Sequence, residues 1–336
     1  MHVGLILALT IRGLAVTSYV DMRRVAAQAE ALGFDSIWLC DHFLTLAPDA
    51  YVVDAGFARG DAPSRRDGAR SMPLLECWTT LSALARDTER LRLGTSVLCN
   101  SYRLPSVLAK MGATLDVISG GRLELGLGVG WLEREYRAYG IPFPRIGERI
   151  EQLDEAVEII RRMWTDATPT FAGTHYTIDD AVCDPPPVQR PRPPIWIGGE
   201  GDRVHRVAAR AADGVNVRWW SPARIIARGA YLDAACRDFG RDPRTLRRSV
   251  TALLVVDRDA RRAAATRERF TAIPADGHVA GTPDQCLARL REYAAAGVRH
   301  LLLTIPDVAA SDALELAGRE VLPALRHEAA LHEERA

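Results

Sequence analysis

Lysine is almost absent: Lys110 is the single lysine among 43 basic residues, and the others are arginine. Schiff-base chemistry at a strand end therefore has no candidate, because Lys110 falls inside a helical pattern. No charge of one sign dominates, since 43 acidic residues bring the formal net charge to zero, so neither nucleic acid nor an anionic membrane is an expected partner. No apolar run reaches the roughly 18–20 residues that a membrane helix requires. Residues 1–5 carry no basic stretch ahead of an apolar one, and a cytoplasmic location is expected. Paired CxxC motifs are missing as well. The six cysteines, Cys40, Cys77, Cys99, Cys183, Cys236 and Cys286, are scattered, which argues for reduced core residues rather than a disulfide framework or a zinc site. HExxH and GxSxG do not occur, so no catalytic metal and no serine-hydrolase elbow are expected. Gly126-x-Gly128-x-Gly130 is not the dinucleotide fingerprint, which needs a third glycine three residues on and an immediate helix.

What the chain does contain is α/β alternation. It has 336 residues, 48% hydrophobic and 26% charged, ordinary values for a protein with a large core. Residues 91–143 hold one complete βαβ unit. Leu91, Leu93, Val97 and Leu98 form a β-type run, and Leu108, Met111, Leu115 and Ile118 follow at spacings of three and four, one face of a helix. Ser119-Gly120-Gly121 stops that helix, and Leu123, Leu125, Leu127 and Val129 then alternate with glycines. Similar strand patterns occur near 3–9, 36–40, 195–197, 215–217, 250–256 and 300–305, each followed by a helical stretch. The most regular helix runs through Ile146, Ile150, Leu153, Val157, Ile160 and Trp164. Eight strands alternating with helices predict an α/β fold, a (β/α)8 TIM barrel with insertions after strands 2 and 4, rather than an open doubly wound sheet. The insertions are placed at 44–71 and 168–194, the second with a hairpin around Gly173. Residues 1–326 read as a single barrel domain and 327–336 as a tail.

In such barrels chemistry sits at the C-terminal ends of strands. Those ends carry Asp41-His42, then Ser96, Cys99 and Asn100, then Gly128 and Gly130, then Gly198, Gly199 and Glu200, and finally Arg218 and Trp219. Asp41-His42 is the acid–base candidate, with Asp41 as orienter of the imidazole, or else a hydrogen-bonded pair that holds the following loop. Gly128 and Gly130 fit either a close ligand approach or tight packing at the rim. Gly198-Gly199-Glu200-Gly201 opens a helix, whose free N–H groups suit a phosphate-bearing cofactor. Glu76, at a helix start, is a further rim candidate, and Trp131 is either a pocket wall or a core aromatic.

The segments WLCDHF, LGTSVLCNSYRLPSVLAK, LDVISGGRLELGLGVGW, EYRAYGIPF and PIWIGGEG resemble the bacterial luciferase-like superfamily, nearest to its oxidoreductases that use the deazaflavin coenzyme F420. The resemblance covers residues 1 to about 325. It implies a barrel enzyme and a homodimer that binds a flavin or deazaflavin at the C-terminal rim. His42 and Asp41 would lie near the reactive ring carbon. The segment containing Thr95, Ser96, Val97, Cys99 and Asn100 would back the ring, with a non-prolyl cis peptide at Ser96-Val97. Gly128, Gly130, Gly198, Gly199 and Glu200 would line the cofactor's tail, and Glu76 and Trp131 the substrate pocket. The implied activity is hydride transfer between coenzyme F420 (8-hydroxy-5-deazaflavin) and a small-molecule substrate. A monooxygenase using reduced FMN and oxygen is the alternative, and a non-catalytic flavin-binding protein is a third reading. Where the sugar-phosphate dehydrogenases of this superfamily carry an acidic residue after the glycine run, this chain has Trp131, which argues against glucose 6-phosphate as substrate.

Overall fold

The computed structural model describes residues 1–8, 11, 13–44 and 72–326. Its elements, in chain order, begin with β1 (His2–Ala8), α1 (Tyr19–Ala31), β2 (Ser36–Leu39), α2 (Cys77–Asp87), β3 (Arg92–Thr95), β4 (Leu98–Cys99), α3 (Pro105–Ser119) and β5 (Leu123–Gly128). There follow α4 (Glu133–Ala138), α5 (Ile146–Thr165), β6 (Phe171–Ala172), β7 (Thr177–Ile178), β8 (Ile195–Gly198), α6 (Asp202–Ala211), β9 (Gly214–Arg218) and α7 (Pro222–Asp238). The chain continues through β10 (Arg247–Val256), α8 (Ala260–Glu268), β11 (His278–Gly281), α9 (Pro283–Ala295), β12 (His300–Thr304) and α10 (Ala313–Leu316).

Among the described residues, parallel pairing runs β12–β1–β2–β3–β5–β8–β9–β10 and returns to β12, which closes eight strands into a barrel. The expected (β/α)8 architecture is therefore the observed one. β11 was not anticipated and extends the sheet beside β10, with Leu253 opposite His278. Of the insertion read at 44–71, residues 45–71 lie outside the described residues, as does the tail read at 327–336. Between β5 and β8 stand α4, α5 and the antiparallel β6–β7 hairpin, which encloses Gly173 as expected.

Side chains fill the barrel interior. Trp38 meets Trp196 edge-on with centroids 6.2 Å apart, and Trp196 stacks on His300 at 4.7 Å. Room for these rings comes from the neighbouring strands: a Cβ at Gly94 would lie 2.2 Å from the Trp38 ring, and one at Gly214 would lie 2.2 Å from Trp196. Below them Glu124 is buried, accepts the Trp196 indole N–H at 2.5 Å and pairs with Arg92. Such a filled floor confines ligands to the opposite, C-terminal mouth.

Two local expectations need correction. The third strand is not continuous: it stops at Thr95 and resumes at Leu98, and the Ser96–Val97 peptide between them is cis. The buried face of α3 is Leu108, Ala109, Gly112, Ala113 and Leu115, while Ile118 is 43% exposed. Small residues won this face because Trp164 of α5 lies across it. Its indole N–H donates to Ala109 O at 2.8 Å, and a Cβ on Gly112 would sit 2.7 Å from its ring.

Candidate active site

β2 delivers Asp41 and His42 to the mouth, but the two side chains are engaged separately. His42 Nδ1 lies 2.8 Å from Glu135 Oε2 on α4, 93 residues away in sequence. The same carboxylate accepts Phe43 N–H at 2.8 Å, Leu44 N–H at 2.9 Å and the Tyr102 hydroxyl at 2.9 Å. Burial works against ionisation of Glu135, yet the bonds from His42, Leu44 and Tyr102 outweigh it and hold the carboxyl below its usual range. An ionised carboxylate only accepts, so His42 must donate through Nδ1–H. Nε2 is then the ring nitrogen that carries the lone pair. The imidazole also packs edge-on against Trp131, with centroids 5.8 Å apart. Phe43 stacks on Tyr102 at 4.6 Å, which keeps the Glu135 side of the cluster in place.

Asp41 is not the orienter of His42. Its oxygens take Arg103 Nη1 at 2.8 Å and Nη2 at 3.1 Å, and Oδ2 also accepts Cys99 N–H at 3.0 Å. Glu76 is likewise engaged within the protein. It caps α2 by accepting Trp78 N–H at 3.0 Å and Thr79 N–H at 2.7 Å, and it accepts Arg103 Nη2 at 2.5 Å. Burial raises the Glu76 pKa, but Thr79, Trp78 and Arg103 bring it below the usual carboxylate range. The guanidinium is pushed upward in turn: burial opposes its charge, and Asp41 more than offsets that. Arg103 thus ties the end of β2 to the start of α2. Beside it runs a groove of about 310 Å3 lined by Asn100, Tyr102, Pro142, Gln152 and Tyr176.

The other expected residues divide by environment. Thr95 is wholly buried, and its hydroxyl bridges Gly126 O and Gly126 N–H at 2.9 Å each, a clamp between strands. Val97 sits in a cradle of glycines, its methyls 2.6 Å from where a Cβ of Gly128 would be and 2.7 Å from that of Gly198. Gly130, at φ 69°, has no room for a side chain: a Cβ would lie 2.0 Å from Tyr136 Oη and 2.5 Å from Cys99 Sγ. Packing therefore dictates Gly128 and Gly130. Cys99 Sγ lies 2.9 Å from Tyr136 Oη, and Asn100 donates to Tyr176 Oη at 3.4 Å. Trp131 is half-buried and packs on the apolar cluster that contains Leu132 and Trp219.

At the end of β8, Gly199 donates to Asn216 O at 3.3 Å and accepts His205 Nε2–H at 3.1 Å. His205 is fully buried, and that burial lowers its pKa to about 4. The N-cap of α6 is Gly201, which brings no side chain to cap the helix's first N–H groups. Glu200 points to Arg224, with 3.0 Å between them, and Asp202 pairs with Arg228.

Glu135, Tyr102 and Arg103 were not singled out from sequence. Glu135 shares residues 133–137 with Glu133, Arg134 and Arg137, and nothing in spacing separates it from these neighbours. Its burial is the distinguishing property, and that comes from tertiary packing.

Residues 1–279 match the family model described as luciferase-like monooxygenase. The chain is 28% identical to an F420-dependent glucose-6-phosphate dehydrogenase of Amycolatopsis mediterranei (strain U-32), covering 91% of this chain and 94% of that one. It is 30% identical to the enzyme of the same name from Microbacterium testaceum (strain StLB037), covering 89% and 91%. The fold superposes with a TM-score of 0.76, at 21% identity, on an F420-dependent secondary alcohol dehydrogenase solved with an F420–acetone adduct, covering 97% of this chain and 99% of that one.

Proposed function

The chain belongs to the luciferase-like monooxygenase family, and we propose that within it the protein is an oxidoreductase moving a hydride between coenzyme F420 and a small organic substrate. The observation that carries the reading is the match over about nine-tenths of the chain to relatives named as F420-dependent dehydrogenases. The residues at the mouth fit such a group. Uncapped N–H groups at the start of α6 suit its phosphate, and an added Cβ at Gly201 would meet nothing within 4 Å. When bound, the deazaflavin accepts or gives a hydride at a ring carbon.

The chain's own residues do the rest. His42 Nε2 takes the proton from a substrate hydroxyl or returns it to a carbonyl oxygen. Glu135 fixes the tautomer that makes this possible and stabilises the imidazolium once it forms. The Ser96–Val97 segment is the wall for the ring, and Gly198 and Gly199 position the tail, held there by His205 and Asn216. Asp41 acts at a distance, through Arg103, by keeping the end of β2 in register with α2.

The family's name favours a second reading, a monooxygenase using reduced FMN and oxygen. Fluorescence titration of the purified protein with both oxidised cofactors separates the two. F420 binding is expected, and tight FMN binding without F420 binding overturns the first reading. The six cysteines are free and buried, as reduced residues of a cytoplasmic protein would be. Along α3, Leu104, Val107 and Ile118 stand 63%, 50% and 43% exposed, apolar surface that a second copy in a homodimer would cover. Light scattering on the purified protein tests the dimer.

A further inference from the structure

β8 hands the chain to α6 through Gly198-Gly199-Glu200-Gly201, and one peptide of that turn is held in a single sense. Gly199 has φ 145°, a conformation that in practice only glycine adopts, and a Cβ there would lie 3.0 Å from Val204 Cγ1. Glycine beside a peptide offers little resistance to its rotation, so the sense of the 199–200 peptide depends on what its carbonyl meets. It meets His205, on the first turn of α6, whose Nε2 lies 3.1 Å from Gly199 O. A carbonyl only accepts, so Nε2 carries the proton and Nδ1 the lone pair.

That bond is the ring's one polar contact. His205 is wholly buried, its Nδ1 has no hydrogen-bond partner, and burial lowers its pKa to about 4, so the ring is neutral at neutral pH. An apolar side chain would fill the same space without leaving a buried nitrogen unpaired, so what the imidazole adds is a donor for Gly199. The ring is itself held in place. Trp220 packs on it edge-on with centroids 5.9 Å apart, and the Arg224 guanidinium lies 4.3 Å from the centre of the Trp220 ring. Arg224 in turn pairs with Glu200 at 3.0 Å. The circuit thus returns to the same peptide: His205 holds its carbonyl, and Arg224 holds the side chain that follows.

In a trans peptide the C=O and N–H point in opposite directions. With Gly199 O turned onto His205, the Glu200 N–H points away from the ring, at an exposed residue just ahead of α6. Rotating the peptide would exchange the two and set the negative end of a carbonyl where a donor now stands. Toward an anion, that exchange replaces attraction with repulsion. We propose that His205 is a positioning residue for the cofactor's phosphate: it fixes the sense of the 199–200 peptide so that a donor, and not the Gly199 carbonyl, faces that group. This rests on the reading above that the start of α6 receives the phosphate.

The test compares the wild-type protein with His205→Phe, which keeps a ring and removes the donor, and His205→Gln, whose NH2 reaches the position of Nε2. Fluorescence titration measures the Kd of each protein for F420 and for 8-hydroxy-5-deazariboflavin, the same ring system without the phosphate. The phenylalanine variant should bind F420 about 10-fold to 100-fold more weakly, the worth of one hydrogen bond to a charged group. Its affinity for the phosphate-free ring should change by less than about twofold, and the glutamine variant should bind F420 within about threefold of wild type. Equal weakening toward both ligands, which a merely structural role produces, overturns the assignment. So does unchanged F420 affinity, or a glutamine variant no better than the phenylalanine one. Should the phenylalanine variant not fold, His205→Asn, too short to reach Gly199 O, takes its place. Failure of F420 to bind the wild-type protein overturns the cofactor reading instead, and FMN against riboflavin then decides the role of His205 by the same criterion. A wild-type protein that binds neither F420 nor FMN overturns both.

Discussion

Replacing Glu135 by glutamine removes a charge and no volume. Four donors converge on this carboxylate, His42 Nδ1 and the Tyr102 hydroxyl on one oxygen and the Phe43 and Leu44 amides on the other. Glutamine offers one oxygen and one NH2. The two backbone amides cannot adapt, so the amide oxygen must face them and the NH2 must face His42 and Tyr102. Tyr102 can rotate its hydroxyl to accept. His42 can accept only by moving its proton from Nδ1 to Nε2, which turns the working nitrogen into a donor. Folding should suffer little, about 1–2 kcal/mol, the difference between charge-assisted and neutral hydrogen bonds. Catalysis should suffer much more, with kcat down roughly 100-fold to 10,000-fold, the usual worth of a general base, while KM and F420 affinity stay near wild type. Steady-state kinetics with the probe the wild-type protein turns over, beside urea unfolding, reads both quantities. A variant within about threefold of wild-type kcat would refute the tautomer argument, whatever its stability.

Arg103→Ala should strand the buried carboxylate of Asp41 and cost about 3–5 kcal/mol in urea unfolding, and Arg103→Lys should recover only part of it because a lysine cannot span both acids. His205 and His300 are held to about 4 by burial, so between pH 6.5 and 4 the unfolded chain binds more protons than the folded one. Stability is therefore full above pH 6.5 and falls as pH drops toward 4, by at most about 3 kcal/mol for each group. His300→Phe, which keeps the stack on Trp196, should show a shallower fall, and an unchanged slope would count against the assignment. Gly130→Ala should destabilise by about 2 kcal/mol or more, since it meets Tyr136 Oη, whereas Gly140→Ala, at nearly the same φ but with nothing within 4 Å, should lose only about 1 kcal/mol. Equal losses at the two positions would mean that backbone conformation, not the Tyr136 contact, sets the requirement.

What the chain's order of residues determined by itself is periodic. Leu123, Leu125 and Leu127 alternate because β5 is buried on both faces and its glycines admit the neighbouring Val97, and Ile150, Leu153, Val157 and Ile160 recur because one face of α5 meets the barrel. Helix stops were equally local: Gly120 takes φ 68° and ends α3 where expected. From such patterns the eight-strand barrel and the place of residue 42 just past a strand end could be read. Partners could not. Asp41 is next to His42 in the chain, but the acid that His42 meets is Glu135, 93 residues away, and Asp41 and Glu76 meet instead on Arg103, 62 and 27 residues away. Adjacent residues at a strand end point in different directions, so neighbourhood in sequence carries little information about who binds whom. Which face of α3 is buried and which glycines exist to admit a side chain both depend on what packs against them from distant segments. Only the folded barrel brings those segments together.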